Sequence, residues 1–395
     1  MSNYLVMIMT LTCIMLVVYH HVFYPLLLKW LAKRMVFQPE KANTRSFKNS
    51  KGDAQRPHVT ILVPAYNEEN WIADKIRNLA SLDYPKKKLN VMVVCDGCTD
   101  ATANIARETI QEAICADVRF EIIENRENRG KLAIINHVIP TLTCDIVALT
   151  DVSALVSLDA LLVATDHFNN PKIGVVNSHY CMPSGSDSGE STYWEYQNNI
   201  SLGESYLGAT LGAHGAFYLI RHELFQPLQP DTINDDFVLP MEIVKQGYQI
   251  AYETNLMAVE QETTTLKNDF KRRIRISAGN MQQTLRLLSL FNPVRPALAF
   301  VFFSGKGLRL LTPYLVLLEV CGCLYLWDYR FFSIVLLAQL ALVLMAGTVT
   351  LFRSHFNSRV SNALRCLLSG HLANFIGGVR YLFGFSNGNW QKVNQ

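Results

Sequence analysis

Apolar and polar positions are segregated along the chain. Residues 4–28, 308–327 and 331–352 are strongly apolar, whereas charged side chains concentrate between residues 29 and 286. Each apolar run is about long enough to cross the hydrocarbon core of a bilayer as a helix. The pattern predicts a polar body between membrane segments. The last two runs are predicted to form a hairpin, since only residues 328–330 separate them.

Basic residues indicate the side of the membrane on which the polar body lies. They follow the first apolar run and flank the C-terminal pair, at Lys29, Lys33, Arg34, Lys306, Arg309, Arg353, Arg359 and Arg365. Because basic residues favour the cytoplasmic side, we predict a multi-pass protein of the inner (plasma) membrane with a cytoplasmic body. A cleavable signal would carry charge before its apolar run, so the first run is predicted to be an anchor. Glu319, inside an apolar run, is expected to face protein.

These patterns divide the chain into four predicted regions. They are an N-terminal anchor over residues 1–34, a polar linker over 35–57, a cytoplasmic domain over 58–290 and a C-terminal membrane region over 291–395. In the last region, residues 296–303 and 363–385 are apolar segments bounded or broken by glycine and charge. We predict that both lie at the membrane interface.

The polar body alternates short β-branched runs with helical patterns. Strands are predicted at residues 59–63, 91–95, 120–124, 146–150, 173–177 and 218–220, with helices between them. This alternation predicts an α/β domain with a mixed, mostly parallel sheet and helices on both faces. In such sheets, ligands bind beyond the carboxyl ends of the strands.

Polar clusters follow the predicted strands. They are Pro-Ala-Tyr-Asn-Glu-Glu at 64–69, Asp-Gly-Cys-Thr-Asp at 96–100, Asn-Arg-Gly-Lys at 128–131 and Asp-Val-Ser at 151–153. Each cluster alone is better explained by turn formation, because Asp and Asn are common turn residues. Together they place carboxylates, a flexible glycine and a lysine where a nucleotide diphosphate could lie.

Two adjacent carboxylates, Asp235 and Asp236, begin an amphipathic pattern that ends at Gly247. A carboxylate in the first turn of a helix is kept ionised by the backbone dipole, as a general base requires. The alternative is that both residues only cap the helix.

The amino-acid composition argues against two classes of protein, a purely soluble enzyme and a nucleic-acid-binding protein. Hydrophobic residues make up 50% and charged residues 17% of the chain, too apolar for a purely soluble enzyme of this size. The net charge of +3 gives no support to a nucleic-acid partner. Nine scattered cysteines suit a reducing compartment. Cys95 and Cys98 have redox or zinc spacing, but no second pair or histidine accompanies them.

The ordered motifs PAYNEE, DGCTD, NRGK, DVS, GAHGAF, NDDF and RRIR span residues 64–275. This set resembles the membrane-bound family 2 glycosyltransferases, which include cellulose, chitin, hyaluronan and poly-N-acetylglucosamine synthases. Lys306-Gly-Leu-Arg309 and Trp390 look like features of the same group. The resemblance implies a GT-A fold with a nucleotide-sugar-binding half followed by an acceptor half.

The resemblance also implies roles for individual residues. Asp236 corresponds to the catalytic base, and Asp235 shapes the site beside it. The implied donor-binding residues are Ala65, Tyr66, Asn67, Glu68, Asp96, Lys131, Asp151, Arg272 and Arg275. His214 and Gly215 are predicted to approach the acceptor sugar, although two glycines around His214 also fit a tight bend.

Three positions in two motifs depart from the family pattern. Ser153 stands where the last carboxylate of the Asp-x-Asp motif ligates Mg²⁺ or Mn²⁺, so Asp151 and Ser153 form a weakened metal site. In the motif that corresponds to Gln-x-x-Arg-Trp, Arg272 replaces the glutamine and Ile276 the tryptophan. The aromatic platform for an acceptor sugar is therefore missing, and both single and repeated addition remain open. The basic helical pattern over residues 268–290 also suits contact with anionic headgroups.

The sequence thus predicts a membrane-anchored, inverting glycosyltransferase. By resemblance, the donor is a UDP-sugar and the acceptor a growing polysaccharide or a lipid-linked saccharide. The bilayer and other polysaccharide-synthesis or export subunits are the expected partners. A non-catalytic nucleotide-sugar-binding subunit is the alternative that Ser153 and Ile276 favour. A transporter has little support, since three spans with one buried acid make no evident pathway.

Overall fold

A computed structural model of the chain describes residues 3–34, 51–183, 188–262, 266–352 and 358–385. Most of the predicted linker, together with Arg353 and Trp390, lies outside these residues, as do the side chains of Arg34 and Arg359. The chain forms two compact units. The first, the helical unit, draws on residues 1–35, 185–203 and 264–387; the second, the sheet unit, draws on 36–184 and 204–263. The predicted domain 58–290 therefore contributes to both units.

The described residues contain eight strands. They are β1 Val59–Ala65, β2 Leu89–Asp96, β3 Arg119–Asn125, β4 Ile146–Thr150, β5 Ala154–Val156, β6 Ile173–Cys181, β7 Phe217–Arg221 and β8 Gln249–Glu260. The α-helices are α1 Asn3–Val18, α2 Tyr24–Arg34, α3 Ile72–Ala80, α4 Thr102–Thr109, α5 Lys131–Val138, α6 Ala160–His167, α7 Ser188–Tyr206, α8 Asp235–Lys245, α9 Leu266–Arg286, α10 Pro296–Val301, α11 Leu308–Tyr325, α12 Arg330–Leu351 and α13 Arg359–Leu382.

One mixed sheet holds all eight strands, in the order β3-β2-β1-β4-β7-β6-β8-β5. Strands β1 to β4 are mutually parallel, and β6 is parallel to β8. Strand β7 runs antiparallel to both of its neighbours. The predicted mixed, mostly parallel α/β sheet is confirmed.

The direction of β7 decides which loops meet at one edge of the sheet. The carboxyl ends of β1, β2 and β4 lie at the same edge because these strands are parallel. Thr150, the last residue of β4, pairs with Phe217, the first residue of β7. The residues that precede β7 are therefore brought to the edge where the polar clusters after β1, β2 and β4 lie.

Strands β5 and β8 were not predicted from the sequence. Strand β8 alternates buried and exposed positions only irregularly, and its pairing with β6 is broken by register shifts. Three-residue β5 is too short to give a periodic signal. Their antiparallel pairing places Ala154 opposite Glu260, next to the predicted metal position Ser153.

Among the described residues of the helical unit, three helices are long and apolar enough to cross a membrane: Asn3–Leu31, Pro296–Tyr325 and Arg330–Leu351. The second begins earlier than predicted, because α10, a π-helical segment Phe302–Gly307 and α11 form one continuous helix. The predicted segment 296–303 is thus continuous with a span, and 363–385 falls largely within α13. Glu319 is buried and accepts a hydrogen bond from Gln339 Nε2, as a polar residue in an apolar helix requires.

Candidate active site

Hydrogen bonds from side chains join the loops after β1 and β2. Asn67 adopts a positive φ of 54°, which is uncommon for a residue with a side chain. Its Nδ2 donates to Thr99 Oγ1 over 3.1 Å, and its Oδ1 accepts from Thr99 N over 2.8 Å. Glu68 N donates to Thr102 Oγ1 over 2.7 Å. This region contains the predicted donor residues Ala65, Tyr66, Asn67 and Glu68.

Asp96 ends β2 and organises the following loop. Its Oδ1 accepts from Asn125 Nδ2 over 2.8 Å. Its Oδ2 accepts from the backbone amides of Arg129 and Gly130 over 2.8 and 2.7 Å. The side chain is buried, so these bonds satisfy a carboxylate that water barely reaches. Asp96 thereby fixes the backbone directly before Lys131, and its contact with a nucleoside stays a prediction.

Lys131 and three aspartates form the charged centre of the site. Lys131 Nζ lies 2.7 Å from Asp151 Oδ1 and 3.8 Å from Asp235 Oδ2. Burial disfavours the charge on Lys131, but the carboxylates of Asp151, Asp235 and Asp236 outweigh it and raise the pKa of the lysine. The ammonium is therefore charged at every physiological pH.

Gly215 lies where these side chains converge. A Cβ at this position would be 3.2 Å from Asp151 Oδ2, 3.4 Å from Asp236 Oδ2 and 3.5 Å from Lys131 Nζ. The missing side chain leaves space between the three charged groups. The structure thus brings together four residues that the sequence analysis selected from separate motifs.

Helix α8 carries Asp236, and a proline inside this helix leaves the Asp236 carbonyl free to bond to another segment. The helix starts at Asp235, and Asn234 occupies the N-cap position. Pro240 lies inside the helix and has no N–H to donate to the carbonyl of Asp236 four residues earlier. That carbonyl instead accepts a hydrogen bond from Ala213 N over 3.0 Å. The proline therefore frees a backbone group that joins α8 to the segment before β7.

His214 is held in one orientation. Its ring stacks on Tyr180, with 3.8 Å between the centroids and 25° between the planes. Its backbone N–H donates to Asn177 Oδ1 over 3.0 Å. Ala216 N donates to His214 Nδ1 over 3.2 Å, so a neutral imidazole carries its proton on Nε2.

Lys75 is a site-supporting residue that sequence reasoning missed. It lies on α3 with no exposed surface, and its Nζ donates to Thr150 Oγ1 over 2.6 Å and to the carbonyl of Ala154. Burial lowers the pKa of Lys75 to about 7, against the opposing charges of Asp151 and Glu260. Nothing in the helical pattern marks it, because a lysine on an amphipathic helix normally faces water.

Tyr218 is a second residue that the sequence did not single out. Its hydroxyl is buried on β7, and its pKa is raised by burial and by the charges of Asp235, Asp236 and Asp151. Among the described residues, neither the Tyr218 hydroxyl nor Asp235 Oδ2 has a hydrogen-bond partner. Orphaned polar atoms beside a charged cluster indicate that water or a ligand completes the site.

The residues around Ser153 do not complete a site for the implied Mg²⁺ or Mn²⁺. The carboxylate of Asp151 is paired with Lys131. Ser153 is buried and shares a hydrogen bond with Glu260, whose pKa is raised by burial. Within the described ranges, no group of three or more His, Cys, Asp and Glu side chains is arranged to hold a metal ion.

Arg272 and Arg275, two of the predicted donor-binding residues, lie on α9 in the helical unit. Arg272 Nη2 lies 3.5 Å from Asp269 Oδ1, and Arg273 Nε lies 2.7 Å from Asp269 Oδ2. The contact of Arg272 and Arg275 with a donor stays a prediction.

The sheet, its loops and the charged centre define a GT-A glycosyltransferase domain. Residues 57–279, more than half of the chain, match the family model described as glycosyltransferase like family 2. The chain belongs to this family, as its motifs predicted.

Two curated relatives are poly-β-1,6-N-acetyl-D-glucosamine synthases. The one from Staphylococcus aureus is 27% identical over 269 residues, covering 66% of this chain and 63% of the relative. The one from Staphylococcus epidermidis is 25% identical over 276 residues, covering 67% and 65%. The chain thus matches less than two thirds of the length of either relative.

A solved structure is similar over nearly the whole chain. It is the mannosyltransferase PcManGT from Pyrobaculum calidifontis, in complex with GDP-Man and Mn²⁺. The TM-score is 0.69 at 23% identity, with 95% of this chain and 99% of that chain covered. The likeness confirms the GT-A fold.

Proposed function

We propose that this protein is a membrane-anchored, inverting glycosyltransferase that transfers an N-acetylhexosamine from a UDP-sugar to a saccharide hydroxyl. The observation that carries the proposal is the convergence of Asp151, Asp236 and Lys131 around Gly215. The names of the curated relatives support the class of sugar. Three apolar helices of spanning length support the anchor and a location in the cytoplasmic membrane.

Asp236 is the base in this mechanism. Its carboxylate projects from the first turn of α8 into the space beside Gly215. There it takes the proton from the acceptor hydroxyl as that oxygen attacks the anomeric carbon. Inversion follows because the nucleoside diphosphate leaves from the opposite face of the sugar.

Lys131 stabilises the departing diphosphate. Its ammonium is fixed by Asp151 and Asp235 before substrate arrives, so little reorganisation is needed as negative charge develops. Arg275 is proposed to stabilise the same developing negative charge, and Arg272 is proposed to bind the donor. His214, stacked on Tyr180, and Gly215 are proposed to face the acceptor.

Asp236→Asn tests the base. Membranes that contain the full chain are given radiolabelled UDP-N-acetylglucosamine, and both donor binding and transfer are measured. We expect binding to persist and transfer to fall by at least about a hundredfold, the usual contribution of general-base catalysis. The matched control is Asp231→Asn, an exposed aspartate shortly before α8, which should transfer normally.

The same assay separates the alternatives. A non-catalytic nucleotide-sugar-binding subunit would bind donor but give no product with either the unmodified chain or the control. Unchanged transfer in Asp236→Asn would show that another group is the base. The length of the labelled product separates single from repeated addition, and analysis of the product identifies the acceptor as a polysaccharide or a lipid-linked saccharide.

Dependence on Mg²⁺ or Mn²⁺ is expected to be weak, because Asp151 is paired with Lys131 and Ser153 offers only a hydroxyl. We expect transfer to survive EDTA, and Mn²⁺ to bind weakly when followed by electron paramagnetic resonance. Ser153→Asp combined with Glu260→Gln should tighten Mn²⁺ binding, because it adds a carboxylate without a second buried charge beside it. Complete inactivation of the unmodified chain by EDTA would contradict this expectation.

A further inference from the structure

Arg309 places a positive charge inside one of the helices of spanning length. It lies in Pro296–Tyr325 and is half-buried. Its Nη1 donates to Gln197 Oε1 over 3.1 Å, and its Nη2 donates to the Tyr193 hydroxyl. Both acceptors are neutral, so in the described part of the chain no ion pair offsets this charge. A guanidinium does not lose its proton in a protein, and the charge therefore persists at any physiological pH.

A second guanidinium lies beside the same tyrosine ring. The guanidinium carbon of Arg273 is 5.4 Å from the centroid of the Tyr193 ring, and that of Arg309 is 6.0 Å from it. The side chain of Arg273 is only 17% exposed, and its Nε donates to Asp269 Oδ2 over 2.7 Å. Asp269 also lies 3.5 Å from Arg272, so one carboxylate already serves two arginines. We call Arg273, Arg309 and Tyr193 the arginine cluster.

The helices that pack against this span supply neutral polar groups. On α13, Asn374 Nδ2 donates to the carbonyl of Arg309 over 2.7 Å. On the N-terminal helix, His20 Nδ1 donates over 2.9 Å to the carbonyl of Ser304, which precedes Arg309 on the same helix. His21 Nε2 is buried and has no hydrogen-bond partner among the residues that the structure describes. These neighbours offer hydrogen bonds, but none of them carries a negative charge.

The carboxylates of the helical unit are engaged or exposed. Besides Asp269, those with described side chains are Glu195, Glu319 and Asp328. Glu195 and Asp328 are exposed, and Glu319 is bonded to the neighbouring span. Within the described helical unit, Arg309 therefore has no counter-ion. A buried charge without a counter-ion is costly in an apolar environment, so a ligand that brings negative charge would stabilise this arrangement.

The length of the helix places Arg309 at the depth of lipid phosphates. Pro296–Tyr325 has 30 residues and is about 45 Å long, whereas the hydrocarbon core of a bilayer is about 30 Å thick. The apolar run over residues 308–327 is long enough to cross this core by itself. Arg309 is the second residue of that run and so lies at its boundary with the headgroups.

We propose that the arginine cluster binds the phosphate group of a membrane lipid. Arg309 has N–H groups beyond those that bond to Gln197 and Tyr193. The Nη atoms of Arg273 make no hydrogen bond within the described ranges. Guanidinium groups bind phosphate oxygens through paired N–H donors, and a phosphate would offset the excess charge of the cluster. Tyr193 fixes both side chains beside one another.

Two membrane lipids can present such a phosphate. One is a bilayer phospholipid, through its headgroup, and the other is a polyisoprenyl lipid that carries a saccharide on its phosphate. Binding itself goes beyond the proposed function, because it does not depend on glycosyl transfer. A preference for the polyisoprenyl lipid would assign the site to a lipid-linked acceptor, and that assignment rests on the proposed function.

The test uses the full chain purified in a non-ionic detergent that carries no phosphate. The chain is titrated with phosphatidic acid, a polyisoprenyl phosphate or diacylglycerol, and retained lipid is counted by native mass spectrometry. Phosphatidic acid and diacylglycerol differ only in the phosphate. We expect phosphatidic acid to bind at least about tenfold more tightly, because hydrogen bonds between charged groups contribute this much or more. It should also raise the thermal midpoint, since it binds only the folded chain.

Arg309→Gln and Arg273→Gln each remove one charge and keep a polar side chain. Each should weaken the binding of phosphatidic acid at least about tenfold and leave the binding of diacylglycerol unchanged. Arg330→Gln, at an exposed arginine that begins α12, is the matched control and should bind like the unmodified chain. Without added lipid, the thermal midpoint of Arg309→Gln should not fall, because a neutral group replaces a charge without a counter-ion.

Equal binding of phosphatidic acid and diacylglycerol by the unmodified chain would overturn the proposal. Unchanged binding of phosphatidic acid in both glutamine variants would overturn it as well. A thermal shift of the same size with inorganic phosphate alone would assign the cluster to a soluble anion instead of a lipid. Tighter binding of the polyisoprenyl phosphate supports an acceptor site, and equal binding of the two phosphate lipids supports a headgroup site. If no preparation transfers sugar, the proposed function fails, but these binding measurements still decide the lipid site.

Discussion

Gly215 lies at the point where Asp151, Asp236 and Lys131 approach one another. The position of its absent Cβ is within 3.5 Å of all three side chains. In the proposed mechanism, the acceptor hydroxyl occupies this space to reach the Asp236 carboxylate. Because the site is built from close charged groups, one added methyl group would fill that space or push the groups apart.

Gly215→Ala should therefore reduce transfer by at least about tenfold, because a misplaced catalytic group loses this much or more. The thermal midpoint should change little, since the nearest atoms are ends of side chains rather than backbone. Initial rates and a thermal melt on the same preparation measure both effects. Gly370→Ala is the control, because a Cβ there meets nothing within 4 Å. Full activity of Gly215→Ala would place the acceptor elsewhere.

Helix α3 and the connection between β4 and β5 are joined by Lys75. The lysine bonds to Thr150 and Ala154, on either side of the loop that carries Asp151 and Ser153. Thr150 Oγ1 also donates to the carbonyl of Ala216 over 2.6 Å, which links this loop to the start of β7. An internal amine thus fixes the relative positions of three elements that together form the site.

Lys75→Met should destabilise the sheet unit by about 1–3 kcal/mol, because buried acceptors lose their donor. Transfer should also fall, since the Asp151 loop is no longer held. Chemical denaturation and initial rates measure the two effects. Lys87→Met, at an exposed position, is the control. Unchanged stability would show that Lys75 does not hold these elements together.

The pH dependence of this variant has a definite sign. The pKa of Lys75 is about 7 in the folded chain, below the ordinary lysine value of 10.5. The unfolded chain therefore binds more protons between these values, and the lysine contributes stability that rises with pH across that window. The stability difference between the unmodified chain and Lys75→Met should grow from about pH 7 upward. A stability difference that stays constant over that pH range would contradict the lowered pKa of Lys75.

At the scale of the whole molecule, the chain combines a glycosyltransferase domain with a helical unit that contains long apolar helices. Its three apolar helices, Asn3–Leu31, Pro296–Tyr325 and Arg330–Leu351, have the length and composition of membrane spans. From the basic residues outside these helices we propose one orientation, with the sheet unit in the cytoplasm.

This orientation predicts that the short connection between α11 and α12 faces away from the cytoplasm. A single cysteine introduced at Asp328 should react with a membrane-impermeant maleimide in intact cells, in a chain whose Cys321 is replaced by serine because it is also exposed. Introduced at exposed Lys87, the cysteine should react only after the cells are opened. Labelling of Lys87→Cys in intact cells would reverse the proposed orientation.

The sequence by itself determined the fold class, the family and the set of chemical groups available to the site. Strands β1, β2 and β4 are largely apolar runs followed by polar turns, so local patterning indicated both the elements and the ligand-binding edge. Asp151, Asp236 and Lys131 were each found from a motif, without knowledge of the distances between them.

Only the tertiary structure decided how those groups work together. The reversal of β7 brings Gly215 between residues that are far apart in sequence, and no local pattern encodes that direction. The roles of Lys75 and Glu260 depend on burial and on partners from other elements. Residue type and spacing fix which charges and thiols the chain carries, but their pKa values and contacts arise only when distant segments pack together.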